Sequence, residues 1–255
     1  MTLEITDFSF SYGDHTVLQE IDLTVSSGEF LGLLGANGSG KSTLLKTILR
    51  IHEPTHGTVT IDGRDTRAYT LAELAQEASY VPQHDDSAFP ATVFETVLQG
   101  RRPHAGWSPG ARDRQAVADV LERLEIAPFA TRTMGELSGG QQQKVRVGRA
   151  LVGDPSVMVL DEPTSSLDLN HQLDVMNLVS RQVRTRDVAV IAALHDLNLA
   201  SQYCDRIALL HDGEIHAVGR PDVLTPETIK TVYGADVTVL EHEGQRFLLP
   251  DIDSE

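Results

Sequence analysis

The sequence predicts an α/β fold with a helical insertion, and three features point to it. Apolar runs at 30–34, 157–160 and 188–191 have the length and continuity of strands buried on both faces. A helical stretch over about 169–185 separates the last two, giving the strand–helix–strand alternation of an α/β sheet. From about 71 to 135 the pattern is helical, with Pro82, Pro90, Pro103 and Pro109 marking the loops.

The elements follow in order. Residues 3–25 alternate apolar and polar (Leu3, Ile5, Phe8, Phe10, then Val17, Ile21, Leu23, Val25), broken by Tyr12-Gly13-Asp14, so they predict antiparallel strands joined by a turn. The buried strand Phe30-Leu-Gly-Leu-Leu34 leads into a Gly-rich loop and a helix over about 41–50. Thr58-Val-Thr-Ile61 with Asp62-Gly63 reads as a further strand and turn. After the helical insertion come the strands Val157–Leu160 and Val188–Ile191. From 206 onward short strands and turns return at 207–210, 212–213 and 237–240. Without repeats, low-complexity tracts or a long linker, residues 1–255 read as one domain. Within it lie a helical subdomain over about 84–137 and a C-terminal extension over about 220–255.

Composition narrows the class. The 255 residues carry 37 acidic and 21 basic side chains, a formal charge of -16, which disfavours a nucleic-acid backbone as the main partner. A single bound nucleotide needs only a local positive field. The basic residues are 17 Arg and 4 Lys, and 21 of the acids are Asp, a bias that fits either a strongly hydrated, salt-adapted surface or base composition. Cys204 stands alone, so no internal disulfide is expected. No signal peptide is recognisable and no stretch reaches the roughly 18 apolar residues of a spanning helix, so a soluble, intracellular protein is expected.

Two segments carry the chemistry. Gly35-Ala-Asn-Gly-Ser-Gly-Lys-Ser42 fits G-x-x-x-x-G-K-S, with a buried strand before it and a helix after it. Its backbone N–H groups and the helix N-terminus suit a phosphate chain. Lys41 is expected at the β- and γ-phosphates and the Ser42 hydroxyl on Mg²⁺. The expected ATP-binding set is Gly35, Asn37, Gly38, Ser39, Gly40, Lys41, Ser42 and Thr43. Val157-Met-Val-Leu-Asp161-Glu162 places two carboxylates at the end of a buried strand. Asp161 is the expected Mg²⁺-side ligand and Glu162 the general base for an attacking water.

Leu137-Ser-Gly-Gly-Gln141, with Ser138 standing 23 residues before Asp161, resembles the signature motif of the ATP-binding cassette (ABC) family. The resemblance runs over nearly the whole chain, with several independent motifs in the family's order. It implies a P-loop NTPase cassette with a RecA-like α/β core, an N-terminal antiparallel β subdomain and a helical signature subdomain. By the same resemblance Tyr12 stacks on adenine, Gln83 in Val81-Pro-Gln joins the Mg²⁺ and water site to a membrane partner, and Ser166-Leu-Asp168 is the D-loop. His195 matches the switch histidine, which the resemblance assigns, with Glu162, to the attacking water. The family's two-copy arrangement implies that Ser138, Gly139, Gly140 and Gln141 of one copy cap ATP held by the other. Gln142 and Lys144 depart from the Arg common after the signature, which bears on dimer contacts.

One rival motif fails on its own terms. His52-Glu-Pro-Thr-His56 matches the H-E-x-x-H zinc pattern, but that chemistry needs both histidines on one helical face, and Pro54 and Gly57 break the helix. Within the family, repair members carry long insertions and ribosome-acting members two tandem cassettes; this chain has neither. The reading is therefore an importer ATPase at the cytoplasmic face of a membrane, with separate permease subunits, an extracytoplasmic binding protein and a second copy of itself. The alternative is an ABC ATPase of a non-transport assembly or repair machine. Residues 92–104, 167–173, 195–200 and 232–239 resemble importers of ferric siderophores, haem and vitamin B12, siderophore first and cobalamin second. The segment at about 84–104 is then the permease groove.

Overall fold

Strict alternation makes the first layer. In the computed structural model, which describes residues 2–83, 91–105, 108–242 and 245–251, β1 (Thr2–Tyr12) and β2 (His15–Ser26) pair antiparallel, with Leu3 opposite Val25, Ile5 opposite Leu23 and Tyr12 opposite His15. The register slips between Ile5 and Phe8, next to Asp7 at φ 47°, and this bulge keeps Phe8 and Phe10 on the buried face. β3 (Phe30–Leu34) follows, then α1 (Lys41–Ile48), β4 (His56–Ile61) and the two-residue β5 (Arg64–Asp65). The order β2-β1-β4-β5 makes a four-stranded antiparallel sheet.

α2 (Leu71–Glu77) opens on a capping box, Thr70 and Glu73 satisfying each other's backbone N–H groups. The chain then runs straight into β6 (Ala78–Val81). This corrects the uniformly helical reading of 71–135. Four residues are too few to show a period, and Ala78 to Val81 are held as a strand by parallel pairing with residues 157–160. The insertion continues with α3 (Val93–Leu98), α4 (Arg102–Ala105), α5 (Ala111–Arg123) and α6 (Gly139–Leu151). Pro90 lies outside the described residues.

β7 (Val157–Asp161), α7 (Leu169–Arg186), β8 (Ala189–Ala193), α8 (Leu197–Tyr203), β9 (Arg206–His211) and β10 (Glu214–Gly219) complete the core. β8 begins one residue later and ends two later than its apolar run suggested, because Ala192 and Ala193 pair with β3 and β7. The central sheet has the order β10-β9-β3-β8-β7-β6; all neighbours are parallel except β10 with β9. The tail holds α9 (Pro226–Tyr233), β11 (Val237–His242) and β12 (Gln245–Pro250), so it is not made of strands and turns alone. Its start and stop signals are legible in retrospect: Thr225 at the N-cap, Pro226 at the first position and Gly234 at φ 68° after the last turn.

The central sheet divides two cores, which explains why its strands are apolar without interruption. Phe30, Leu34, Met158, Leu160, Val190 and Ala192 face a core shared with α3, α5, α6 and α7. Their alternates Leu31, Leu33, Val157, Val159 and Ile191 face a second core shared with α1 and the antiparallel sheet. Among the described residues no helix is long and apolar enough to cross a membrane.

Candidate functional site

Parallel strands deliver their functional groups at their carboxyl ends, where loops leave the sheet. Four adjacent strands do so here: β3 leads to the Gly loop, β8 to His195, β7 ends in Asp161 followed by Glu162, and β6 leads to Gln83. Residues 35, 83, 161, 162 and 195, distant in sequence, therefore meet along one edge of the sheet.

The Gly loop is shaped by close approach. A Cβ on Gly35 would stand 2.3 Å from the Leu210 carbonyl oxygen. One on Gly40, which has φ 106° and starts α1, would stand 2.7 Å from Leu18 Cδ2. Lys41 is buried, and its ammonium donates to the carbonyls of Gly35 at 2.7 Å and Ala36 at 3.0 Å. Burial pulls the Lys41 pKa below its usual value, while Glu162 and Asp161 oppose that shift. Ser39 Oγ is buried without a hydrogen-bond partner. A pocket of about 180 Å³ opens here, lined by Val17, Asn37, Gly38, Gly40, Lys41, Ser42, Thr43 and Glu162. A buried cation beneath a loop of glycine backbone makes a site that fits a polyphosphate.

In the acidic half every carboxylate oxygen has a polar partner. Asp161 Oδ1 accepts from Ser42 Oγ at 2.9 Å and Oδ2 from the Tyr80 hydroxyl at 3.0 Å. Tyr80 was not singled out from sequence, where it is one aromatic residue of a short strand. Burial first and the Asp161 charge second push its pKa well above the usual value. Glu162 Oε2 accepts from Gln83 Nε2, and Oε1 is in contact with His195 Nε2, which donates when it carries the ring proton. Glu162 itself sits at φ 50°, a left-handed backbone that is costly for a side-chain-bearing residue. Its N–H is bonded to the Ala193 carbonyl at 3.2 Å, and its own carbonyl accepts from Ser165. The oxygens of Ser42, Asp161 and Gln83 are hard donors of the kind that suits Mg²⁺.

The signature segment lies elsewhere. Ser138 caps α6, with its Oγ accepting from the Gln141 N–H at 3.3 Å and Gln141 Oε1 accepting from the Ser138 N–H at 3.1 Å. No residue of 138–141 lines the Gly-loop pocket. They pack instead against the start of α7: Gly139 faces Leu167, and a Cβ on Gly140 would fall 2.0 Å from the His171 ring. That ring is fixed by Asp168, the N-cap of α7, whose Oδ1 accepts from His171 Nδ1 at 2.7 Å. Tyr12 is half-exposed at the end of β1, edge-on to Phe10 at 4.8 Å and bonded through its hydroxyl to His52 Nε2 at 3.0 Å. His52 stacks on Phe10 in a loop and His56 opens β4, so the two histidines of the zinc-like pattern share no helix. A further residue that sequence did not flag is Tyr233 of α9, whose hydroxyl accepts from the Gly35 N–H at 2.8 Å.

Comparison with known proteins agrees with this architecture. Residues 18–165 match the ABC transporter family. An uncharacterized ABC transporter ATP-binding protein of Methanocaldococcus jannaschii is 42% identical over 98% of this chain and 98% of its own. The hemin import ATP-binding protein HmuV of Gloeobacter violaceus is 42% identical over 89% of this chain and 85% of its own. The cobalamin import ATP-binding protein BtuD of Halobacterium salinarum is 38% identical over 94% of this chain, which spans 60% of that protein's length. Among solved structures, a chain from a transporter described as of metal-chelate ABC type superposes with a TM-score of 0.86 at 27% identity, over 99% of this chain and 98% of its own. A dimeric ATP-binding cassette in a post-hydrolysis state, bound to ADP and Pi, superposes with a TM-score of 0.74 at 29% identity, over 86% of this chain and 98% of its own.

Proposed function

The chain belongs to the ABC transporter family as an ATPase, and from that premise we propose that it drives an importer for a metal chelate: an iron-siderophore complex, haem or vitamin B12. The relatives named for hemin and cobalamin import, and the metal-chelate type transporter, support the cargo class. Cargo passes through the permease and not through this chain, so the proposal is for a class. In this reading the chain is one domain, with the helical segment at about 84–137 as its signature subdomain and about 220–255 as its C-terminal extension; residues 84–90, 106–107, 243–244 and 252–255 lie outside those described.

The observation that carries the two-copy ATPase reading beneath this proposal is the division of the site. Gly loop, Asp161, Glu162, Gln83 and His195 converge, while Ser138 caps a separate helix and lines no part of their pocket. A second copy, as in the dimeric cassette, would bring its Ser138, Gly139, Gly140 and Gln141 onto the γ-phosphate held by the first.

In the mechanism Tyr12 carries the adenine, and residues 35–43 hold the phosphates with Lys41 at the β- and γ-groups. Ser42, Asp161 and the Gln83 carboxamide oxygen would hold Mg²⁺, which supplies charge neutralisation on the phosphate oxygens. Glu162 takes a proton from a water as that water's oxygen bonds to the γ-phosphorus. The bond to the bridging β–γ oxygen breaks and leaves ADP and phosphate. His195 and Gln83, one on each oxygen of Glu162, fix the direction in which the carboxylate faces. Loss of the γ-phosphate removes the link between copies, so hydrolysis opens the dimer. A groove of about 390 Å³ beside β6, walled by Tyr80, Gly100, Arg102 and Arg149, is the proposed permease seat, three residues upstream of Gln83. It overlaps the segment expected at about 84–104 only in part.

The test is Mg²⁺-dependent phosphate release by the full chain, with and without Glu162→Gln. Removal of a general base is expected to lower kcat by about 100-fold or more while ATP still binds. Activity within about tenfold of the wild type would overturn the assignment of Glu162.

A further inference from the structure

The C-terminal extension reaches the nucleotide loop through one side chain. α9 is built to hold its place: Thr225 and Thr228 cap its start, Gly234 ends it, and Lys230 pairs with Asp236 at 2.7 Å just beyond. Ile229 and Val232 are buried in the core beneath the central sheet, and Tyr233 packs against the same cluster. From the last turn of that anchored helix the Tyr233 hydroxyl accepts the N–H of Gly35 at 2.8 Å, across 198 positions of sequence.

Gly35 is the first residue of the phosphate loop, and each side of it is committed. Its N–H is on Tyr233, its carbonyl takes the Lys41 ammonium at 2.7 Å, and its Cα lies so close to the Leu210 carbonyl that a side chain would not fit. A chain of contacts thus runs from α9 through one glycine to the lysine assigned to the phosphates. The segment Val232-Tyr-Gly-Ala-Asp thereby acquires a task at the nucleotide loop.

We infer that Tyr233 is a positioning residue for ATP: its hydroxyl sets the entry of the Gly loop and, through Gly35, the place from which Lys41 meets the phosphates. The inference rests on the nucleotide site proposed above. It makes the C-terminal extension part of that site. Tyr233 does not line the Gly-loop pocket, so the effect of losing its hydroxyl falls on nucleotide binding through Gly35 and spares the water assigned to Glu162.

The experiment compares Tyr233→Phe with the wild type and with Ile229→Val, a change at the buried face of the same helix that leaves the Gly35 contact intact. Dissociation constants for a fluorescent ATP analogue, steady-state KM and kcat, and melting temperature are measured on the full chain. Tyr233→Phe is expected to weaken ATP binding and raise KM by about fivefold to tenfold, the scale of one hydrogen bond, with kcat within about twofold. Ile229→Val is expected to lower the melting temperature without moving KM. If Tyr233→Phe leaves ATP binding unchanged, or if Ile229→Val shifts KM equally, Tyr233 only supports the fold and the inference fails. A wild-type chain that does not bind ATP would instead sink the nucleotide site itself. Should Tyr233→Phe not fold, amide exchange in the wild type decides: the Gly35 N–H is expected to be protected without nucleotide, and rapid exchange there would overturn the inference.

Discussion

Tyr80→Phe isolates a single contact in the acidic half of the site. The ring stays in the wall of the groove, and only the hydroxyl that donates to Asp161 Oδ2 at 3.0 Å is lost. Hydrogen bonds to charged acceptors contribute roughly 1.5–3 kcal/mol. Asp161 is buried but Tyr80 is only partly so, which places the loss at the lower end, about 1.5 kcal/mol. At roughly 2–4 °C per kcal/mol for a chain of this size, the melting temperature should fall by about 3–6 °C. Asp161 then keeps Ser42 at 2.9 Å, and its carboxylate can turn away from the position proposed for Mg²⁺. The Mg²⁺ concentration for half-maximal ATPase should accordingly rise severalfold, about tenfold if the whole loss falls on the metal-bound geometry. Thermal denaturation without nucleotide reads the first effect and a Mg²⁺ titration of phosphate release reads the second. An unchanged melting temperature with an unshifted Mg²⁺ dependence would refute the reasoning.

Other expectations follow from the same contacts. Gly140→Ala places a methyl group 2.0 Å from the His171 ring, an overpacking that should cost about 1–3 kcal/mol and lower ATPase activity; the double change with His171→Ala should recover part of both, and a fully stable Gly140→Ala would contradict the packing. Burial holds the Tyr80, Tyr233 and Cys204 pKa values above the usual 10.0, 10.0 and 9.0, with Tyr233 pushed up to about 12. Folding favours their protonated forms, so that contribution is complete below pH 9 and is lost as pH rises from there through the folded values. Chemical denaturation midpoints should decline on this alkaline limb, less steeply in Tyr80→Phe, and identical slopes would argue against a raised Tyr80 pKa. The capping carboxylates Glu95 and Glu136 are held below 4.5, chiefly by the backbone N–H groups of Thr92 and Thr133. Their contribution is present above that pH and lost as pH falls through their lowered values, which denaturation midpoints on the acid side should show.

Local patterns in the sequence were sufficient for the elements that carry a period or a fixed motif. The first 26 residues alternate because one face of the antiparallel sheet is buried, and the Gly loop is recognisable because a strand, a glycine turn and a helix must follow one another to cradle phosphate. β6 escaped because four residues joined directly to a helix carry no readable period, and their strand state is imposed by β7. α9 announces itself by Thr225, Pro226 and Gly234, but eight residues among short strands are easily taken for turns. The roles of Tyr80 and Tyr233 are different in kind. Each depends on a hydrogen bond between residues 81 and 198 positions apart, and no local pattern carries such a pairing. The charge of -16 leaves the ligand open, since the pocket's positive field is local, a buried Lys41 with glycine backbone around it.

The central claim is that one chain supplies half of each ATP site, and mixing two defective variants tests it most directly. Lys41→Ala disables the phosphate loop, and Ser138→Arg places a bulky cation where the signature should meet the partner's nucleotide. In a mixed dimer one site inherits both defects and the other inherits neither. Each variant alone should be nearly inactive, while an equimolar mixture should recover roughly a quarter of wild-type phosphate release, since half the dimers are mixed and each holds one intact site. A mixture as inactive as its components, or a Ser138→Arg chain as active as the wild type, would contradict the shared site.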